Sequence, residues 1–256
     1  MEDKITKTRY HLIDALRGFA VVCMVFFHAF VTMSDIYNLP LGAKLVNFFS
    51  PAEPYFAGLF IFISGIACSL SSSNLKRGIK LLIIALLITL ATFVLSFFGL
   101  QVQIWFGILH LLSFSILITA ALTPLTKKIN PALAAAACFA LFLFTRTIES
   151  RYLSLLFLKI PLPGILYSVP YLFPFGFYTE NFSSADYFPL LPWLFLFLCG
   201  AFIGRYEQKG KFPGFLKKSL CPPLEYIGRR ALIIYILHQP IIAAVLFVIL
   251  KLFRIR

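Results

Sequence analysis

His11-Leu-Ile-Asp14-Ala-Leu-Arg17-Gly18-Phe-Ala-Val-Val-Cys-Met-Val-Phe-Phe-His28-Ala-Phe30 is long and apolar enough to enter a bilayer as a helix, yet it carries an acid, an arginine and a histidine. At about 100° per residue, Asp14, Arg17 and His28 share one helical face, because a spacing of eleven is close to three whole turns. A rise of about 1.5 Å per residue sets Arg17 and His28 about 16 Å apart along that face. Ionisable groups at such depth cost about 2.5 kcal/mol or more each, so they normally face a bundle interior or a wet cavity and mark function. The structural alternative is an Asp14–Arg17 pair at the helix entrance, with His28 satisfied by a neighbouring helix.

The rest of the chain agrees with a membrane setting. Of 256 residues, 60% are hydrophobic and 13% charged, far from the soluble average of about 25% charged. Mean hydropathy is +0.90. Thirty phenylalanines in such a chain read as lipid-facing and interhelical filler. The first apolar run is too long for a signal-peptide core and has no small-residue cleavage site, so it reads as a retained span. Cys23, Cys68, Cys138 and Cys199 fall in apolar segments and Cys221 in a basic loop, which implies no disulfide framework. A CxxC pair or Cys/His metal spacing is absent, and no metal is expected.

Spanning segments are expected at about 11–33, 54–72, 79–99, 104–123, 131–145, 188–205 and 229–250. The apolar stretch 152–178 is interrupted by Pro161, Pro163, Pro170 and Pro174, which remove donors and kink helices. It reads as a re-entrant or interfacial element, with a broken eighth span as the alternative. With the N-terminus inside, inner loops carry fifteen Lys and Arg, from Lys4 and Lys7 through Lys209 to Arg230, against seven outside, among them Arg254 and Arg256. The positive-inside rule therefore favours a cytosolic N-terminus. The expected fold is an all-α, polytopic transmembrane helix bundle of seven (alternatively eight) spans, forming one domain over 1–256.

In this topology His28, His110 and His238 lie within spans at compatible depths. Imidazole suits proton transfer because its pKa lies near neutrality, and it can also act as a nucleophile. Pro240, in Tyr235-Ile-Leu-His238-Gln239-Pro240, leaves a helix carbonyl without its usual donor. Ser64-Gly65 reads as a close-packing small pair rather than a nucleophile, and no G-x-S-x-G, P-loop, Rossmann or HExxH signature occurs. Asp186 precedes the sixth span on the outer side, as a cap on that helix or as a contact for an acceptor.

Taken together, Asp14-x-x-Arg17-Gly18 with His28, Phe62-Ile-Ser64-Gly65, Phe106-Gly107-Ile-Leu-His110, Asp186-Tyr187-x-Pro189-Leu-Leu-Pro192-Trp193 and Tyr235-x-x-His238-Gln239-Pro240 resemble the heparan-α-glucosaminide N-acetyltransferase catalytic-domain family, in its short bacterial members. The Arg17-x10-His28 spacing is also similar to the wider transmembrane acyltransferases, including acyltransferase family 3. The resemblance implies acetyl transfer from cytosolic acetyl-CoA to a sugar amine or hydroxyl on the far face. It implies that His28 is the catalytic histidine. Arg17, beside Asp14, would orient it or hold the thioester and CoA phosphates. His110, His238, Gln239, Asp186 and Trp193 would line the acceptor side.

Lys76, Arg77 and Arg229, at the expected inner mouth, are placed to pair CoA phosphates. The same charges also satisfy the positive-inside rule and anionic lipid. The expected partners are the bilayer, acetyl-CoA and a glycan or glycolipid acceptor, with a homo-oligomer also open. Although net charge is +13, its distribution along the loops argues against nucleic acid. The competing class is a proton-coupled transporter or permease using the same histidines as a relay. The expected location is the inner cell membrane.

The charge asymmetry makes a direct prediction. Single cysteines at Lys217 or Lys218 should react with an impermeant reagent only after inside access is opened, and one at Asp186 should react from outside. The reverse pattern would overturn the orientation.

Overall fold

The computed structural model describes residues 9–100, 102–208 and 210–253; Lys4, Lys7, Lys209, Arg254 and Arg256 of the charge count lie outside the described residues. Among the described residues the helices are α1 (His11–Val31), α2 (Pro40–Phe49), α3 (Glu53–Ser69), α4 (Asn74–Ser96), α5 (Ile108–Thr126), α6 (Pro131–Thr145), α7 (Leu190–Gln208), α8 (Pro222–Arg229) and α9 (Ala231–Phe253). A two-stranded antiparallel hairpin, β1 (Tyr152–Leu155) and β2 (Leu158–Pro161), is the departure from an all-α chain.

Among the described residues, seven helical stretches are long and apolar enough to cross a membrane, and they coincide with the seven expected segments. Local chemistry sets several of their ends. Asn130 caps α6 by accepting from the Ala132 N–H at 2.9 Å, with Pro131 in the first turn, where its missing donor costs nothing. Ser73 caps α4 in the same way, through the Lys76 N–H. Exposed leucines of α4 (Leu86, Leu87, Leu90) and exposed apolar residues of α9 (Ile241, Val245, Val248) form faces suited to lipid. Two short helices fell outside the expected set. The first, α2, leads through a 3₁₀ turn into α3; the second, α8, lies in what read as a basic loop.

The proline-rich stretch 152–178 forms the hairpin and two 3₁₀ turns, Gly164–Tyr167 and Pro170–Phe175, and contains no spanning helix. The broken eighth span is therefore not built. Prolines at that density leave too few donors for a continuous helix.

The chain gathers into two compact units, one from 1–63 with 212–256 and the other from 64–211. In the first unit, α1 and α9 run parallel. The contacts advance together along both helices: His28 meets His238 and Gln239, Thr32 meets Gln239, and the Tyr37 hydroxyl donates to the Ala243 carbonyl at 2.7 Å. If the first and last spans cross one bilayer in the same direction, the number of spans is odd. Seven meets that condition and eight does not.

α8 fixes where α9 begins. A Cβ built on Gly18 would sit 1.9 Å from the Leu224 carbonyl oxygen, and one on Gly228 would sit 1.9 Å from the Asp14 carbonyl oxygen. The two helices therefore touch backbone to backbone, which only glycine on each side permits.

In the second unit, α4 pairs with α5, α6 pairs with α7, and α5 touches α7. Gly65 presses on α7, its Cβ position 2.1 Å from the Phe197 carbonyl oxygen, and Gly204 does the same against Ile66 and Ser69. Ser64-Gly65 is thus a close-packing pair, as its sequence context suggested.

Gly18→Leu and Gly228→Leu should each disrupt the first unit. Overpacking ordinarily costs about 1–3 kcal/mol, and here the obstructing atom is backbone, which cannot swing away. Thermal unfolding in detergent should show a lower midpoint, or no folded protein, for both variants. Wild-type stability in either would remove the glycine contact from the account.

Candidate active site

α1 changes its winding just beyond His28. Thr32–Ile36 form a π-helical turn in which the Tyr37 N–H reaches back five residues to the Thr32 carbonyl. Such single π turns commonly mark functional positions. Thr32 is nearly fully buried, and its hydroxyl donates to the His28 carbonyl at 2.8 Å.

From α9, Gln239 bridges the same pair. Its Oε1 lies 3.2 Å from the Thr32 hydroxyl and its Nε2 2.5 Å from His28 Nδ1, and a half-turn of the amide exchanges the two ends. Chemistry decides which end of that amide meets which partner. Thr32 has one hydroxyl hydrogen, and the His28 carbonyl takes it at the shorter distance. The threonine oxygen is then an acceptor, suited to the amide NH₂. The amide oxygen is left to accept from His28 Nδ1–H, and a separation as short as 2.5 Å suits N–H···O better than two nitrogens. In this arrangement His28 carries its proton on Nδ1 and its lone pair on Nε2.

His238 stands against His28, with ring centroids 4.9 Å apart at 84°. Its Nδ1 lies 2.6 Å from the Tyr235 carbonyl, which can only accept, so His238 also carries its proton on Nδ1. His238 is buried and His28 half-buried. Two imidazoles thus sit at one level of the first unit, His28 engaged by a side chain 211 positions away and His238 by a carbonyl of its own helix.

Arg17 and Asp14 form the pair expected at the helix entrance, Nη1 to Oδ1 at 3.1 Å. Arg9 adds a second contact to Asp14 at 3.2 Å. Arg17 lies about 16 Å of helix rise from His28, so the group that orients His28 is Gln239 and not Arg17.

Sequence reasoning missed Glu225. It is the sole acid between Lys209 and Arg230, and its carboxylate is buried where α8 meets α1. Ser219 donates to Oε1 at 2.5 Å, and His11 Nδ1 lies 2.6 Å from Oε2. Arg229 approaches that oxygen at 4.0 Å and also lies over the Tyr226 ring. The hydrogen bonds from Ser219 and His11, together with the charges of His11 and Arg229, hold the Glu225 carboxyl below its ordinary range. One carboxylate within a run of cations was the available signal.

The second unit holds His110, Asp186, Trp193, Lys76 and Arg77. His110 Nδ1 accepts from the Gly107 N–H at 3.2 Å and so caps its own helix. Its other nitrogen must then carry hydrogen, and it faces the Thr89 hydroxyl at 3.3 Å. Both ring nitrogens of His110 are thus engaged within this unit.

Asp186 also caps α5, not the helix that follows it. Its Oδ2 accepts from the Ile108 N–H at 3.2 Å, and a Cβ on Gly107 would meet that oxygen at 2.7 Å. Backbone bonds from Ala185 to Gln103 and from Phe188 to Phe106 tie the two segments together. The Phe106-Gly107-x-x-His110 and Asp186-Tyr187 signatures are therefore two halves of one structural knot. Trp193 packs between Phe142 and Phe188. Beside Asp186, Tyr187 donates to the Phe173 carbonyl at 2.5 Å. Burial, reinforced by Glu149 and Tyr178, pushes its hydroxyl pKa upward, so it stays protonated. Lys76 and Arg77 share the first turn of α4, with Lys76 exposed. Among the described residues no group of three or more His, Cys, Asp or Glu is placed to hold a metal ion.

The family description "Heparan-alpha-glucosaminide N-acetyltransferase, catalytic" matches residues 9–240. The chain belongs to this family. The matched segment holds every candidate residue described here and ends at Pro240, one position past the His238-Gln239 pair. Membership in an acetyltransferase family, with seven apolar helices, makes the chain a multi-pass membrane protein of acetyltransferase type. No curated protein and no solved structure matches the chain.

The Glu225 cluster carries a pH prediction. A carboxyl held low in the folded state contributes stability that is complete above the unfolded value of about 4.3 and is lost as pH falls through the lower folded value. Wild-type protein should therefore lose thermal stability on acidification through that window, and Glu225→Gln should flatten this dependence. An unchanged acid limb in Glu225→Gln would remove Glu225 from the account.

Proposed function

We propose that the protein moves an acetyl group from cytosolic acetyl-CoA to a carbohydrate hydroxyl or amine at the far face of the inner cell membrane, with its N-terminus cytosolic and His28 as the catalytic group. The observation that carries this reading is the His28–Gln239–Thr32 relay beside His238, within the segment matched by the acetyltransferase family. An imidazole with its lone pair on Nε2 can take the proton from an acceptor O–H or N–H as that atom attacks the thioester carbonyl. The carbon–sulfur bond breaks, and the departing CoA sulfur takes the proton back. Gln239 accepts from Nδ1–H throughout and steadies the imidazolium that forms between the two transfers.

Around that step, Lys76, Arg77 and Arg229 hold CoA phosphates as cationic partners. Asp14 and Arg17 form a charged pair on the His28 face of α1 that polarises the approach of the donor. His238, Gln239, His110, Asp186 and Trp193 shape the acceptor side. His238 does so by direct ring contact with His28, and His110 and Asp186 by fixing the start of α5.

The test uses purified protein, labelled acetyl-CoA and a panel of cell-envelope glycans. His28→Ala should abolish transfer, because acid–base work is worth about 10²–10⁴ in rate, while the protein stays folded and inserted. Gln239→Leu should lower kcat by about fivefold with KM for acetyl-CoA unchanged, the worth of one hydrogen bond at about 1 kcal/mol. Gln239→Glu, which still accepts from Nδ1–H, should keep more activity than Gln239→Leu and move the acid limb of the rate profile to higher pH. Full turnover in His28→Ala would reassign the catalyst. Absence of CoA binding to folded wild-type protein by calorimetry would sink the donor assignment and favour a proton-coupled transporter.

A further inference from the structure

The turn of the β1–β2 hairpin is built from residues that turn chemistry does not choose. Leu156 and Phe157 connect the strands, and Leu156 adopts φ 51°, a region that favours glycine or asparagine. Both side chains stand clear of the protein, Leu156 at 91% and Phe157 at 102% exposure.

The register extends this pattern along the strands. Residues opposite one another share a face, so Leu153 with Ile160 and Leu155 with Leu158 form one side, and Tyr152 with Pro161 and Ser154 with Lys159 form the other. Leu155, Leu158 and Ile160 of the apolar side are exposed. The second side turns inward to a short connection. Thr147 donates to the Tyr152 carbonyl at 2.8 Å and lies 3.2 Å from the Ser154 hydroxyl. Lys159 sits 4.0 Å over the Tyr152 ring. A two-stranded hairpin is at best marginally stable in water, and one that shows water its apolar face and tip is less so.

What covers that face is indicated by the helix to which the hairpin is joined. α6 runs on through a turn and the 3₁₀ segment Ile148–Ser150, and this 20-residue stretch is one of the seven long enough to cross a hydrocarbon core of about 30 Å. β1 packs on α6, six residues beyond its last turn. The exposed apolar residues of α6, Leu133, Phe139 and Leu141, already present a face suited to acyl chains. The hairpin's apolar surface is thus attached where the span ends. Its Tyr152–Lys159 pair is of the aromatic and basic kind that settles at headgroup level.

We propose that the β1–β2 hairpin inserts its Leu155-Leu156-Phe157-Leu158 tip into the bilayer leaflet at the C-terminal end of α6, extending the lipid-facing surface of this span. The tip is then a fixed lipid anchor, pinned through Thr147, and Lys159 lies at the phosphate level. This inference needs α6 to span the membrane but does not depend on the acetyl-transfer reading.

The test is Phe157→Trp in the full-length protein, reconstituted in phosphatidylcholine vesicles, with wild-type emission from Trp105 and Trp193 subtracted. Leu156→Trp serves as the second reporter. The added emission should be quenched severalfold more by lipids brominated along the acyl chain than by aqueous iodide. Stronger quenching by iodide would put the tip in water and overturn the proposal. Protection from both quenchers would mean that protein, such as a second copy of the chain, covers the tip, and would overturn it equally. Acetyl transfer that remains normal in both variants would separate this result from any failure of the catalytic assignment.

Discussion

The contact between α1 and α8 sets the geometry of the first unit. Gly18 and Gly228 let two helix backbones meet with no side chain between them, each facing a carbonyl of the other helix. Because only Arg230 separates α8 from α9, this contact also fixes where the last span starts. From there α9 rises parallel to α1. About seven residues of rise bring His238 and Gln239 to the level that α1 reaches at His28. A helix pair held apart by one methyl group at Gly18 would not keep the 2.5 Å approach of Gln239 to His28. The Asp-x-x-Arg-Gly signature is therefore architectural at its glycine and electrostatic at its charges.

Buried polarity in this unit is resolved in two different ways. Near α8, full charges are placed together, with Glu225 between Ser219, His11 and Arg229, and Asp14 between Arg9 and Arg17. A buried carboxylate is tolerable only with such partners. Deeper along α1 the polar groups are hydrogen bonders that can be buried uncharged, Thr32, Gln239 and two imidazoles. Neutral groups cost less to bury than ions, and an imidazole becomes charged only when it takes up a proton. That division suits the proton transfer proposed for His28.

The second unit uses its signature residues differently. His110 and Asp186 both serve the first turn of α5, where orphan backbone N–H groups need acceptors. They hold the segment around residue 186 against the segment around residue 107, and so order the long connection between α6 and α7. A histidine within a span read as a third imidazole of the site is occupied as a helix cap, and an aspartate read as a cap for the following helix caps a distant one.

Much of the fold was legible because it is written locally. Hydropathy over about twenty residues locates a span regardless of its neighbours, so the seven segments, the histidine within α1 and the Asp14–Arg17 pair could be read directly. The proline-broken stretch could be recognised as no ordinary span for the same reason. What only the tertiary structure decided is which distant group completes each polar residue. Gln239 meets His28 across 211 positions, Glu225 meets His11 across 214, and Asp186 meets Ile108 across 78. Such pairings depend on helix register and on the approach that glycines allow. A hydrogen bond resolves differences of tenths of an ångström, whereas hydropathy resolves only which twenty residues lie in lipid.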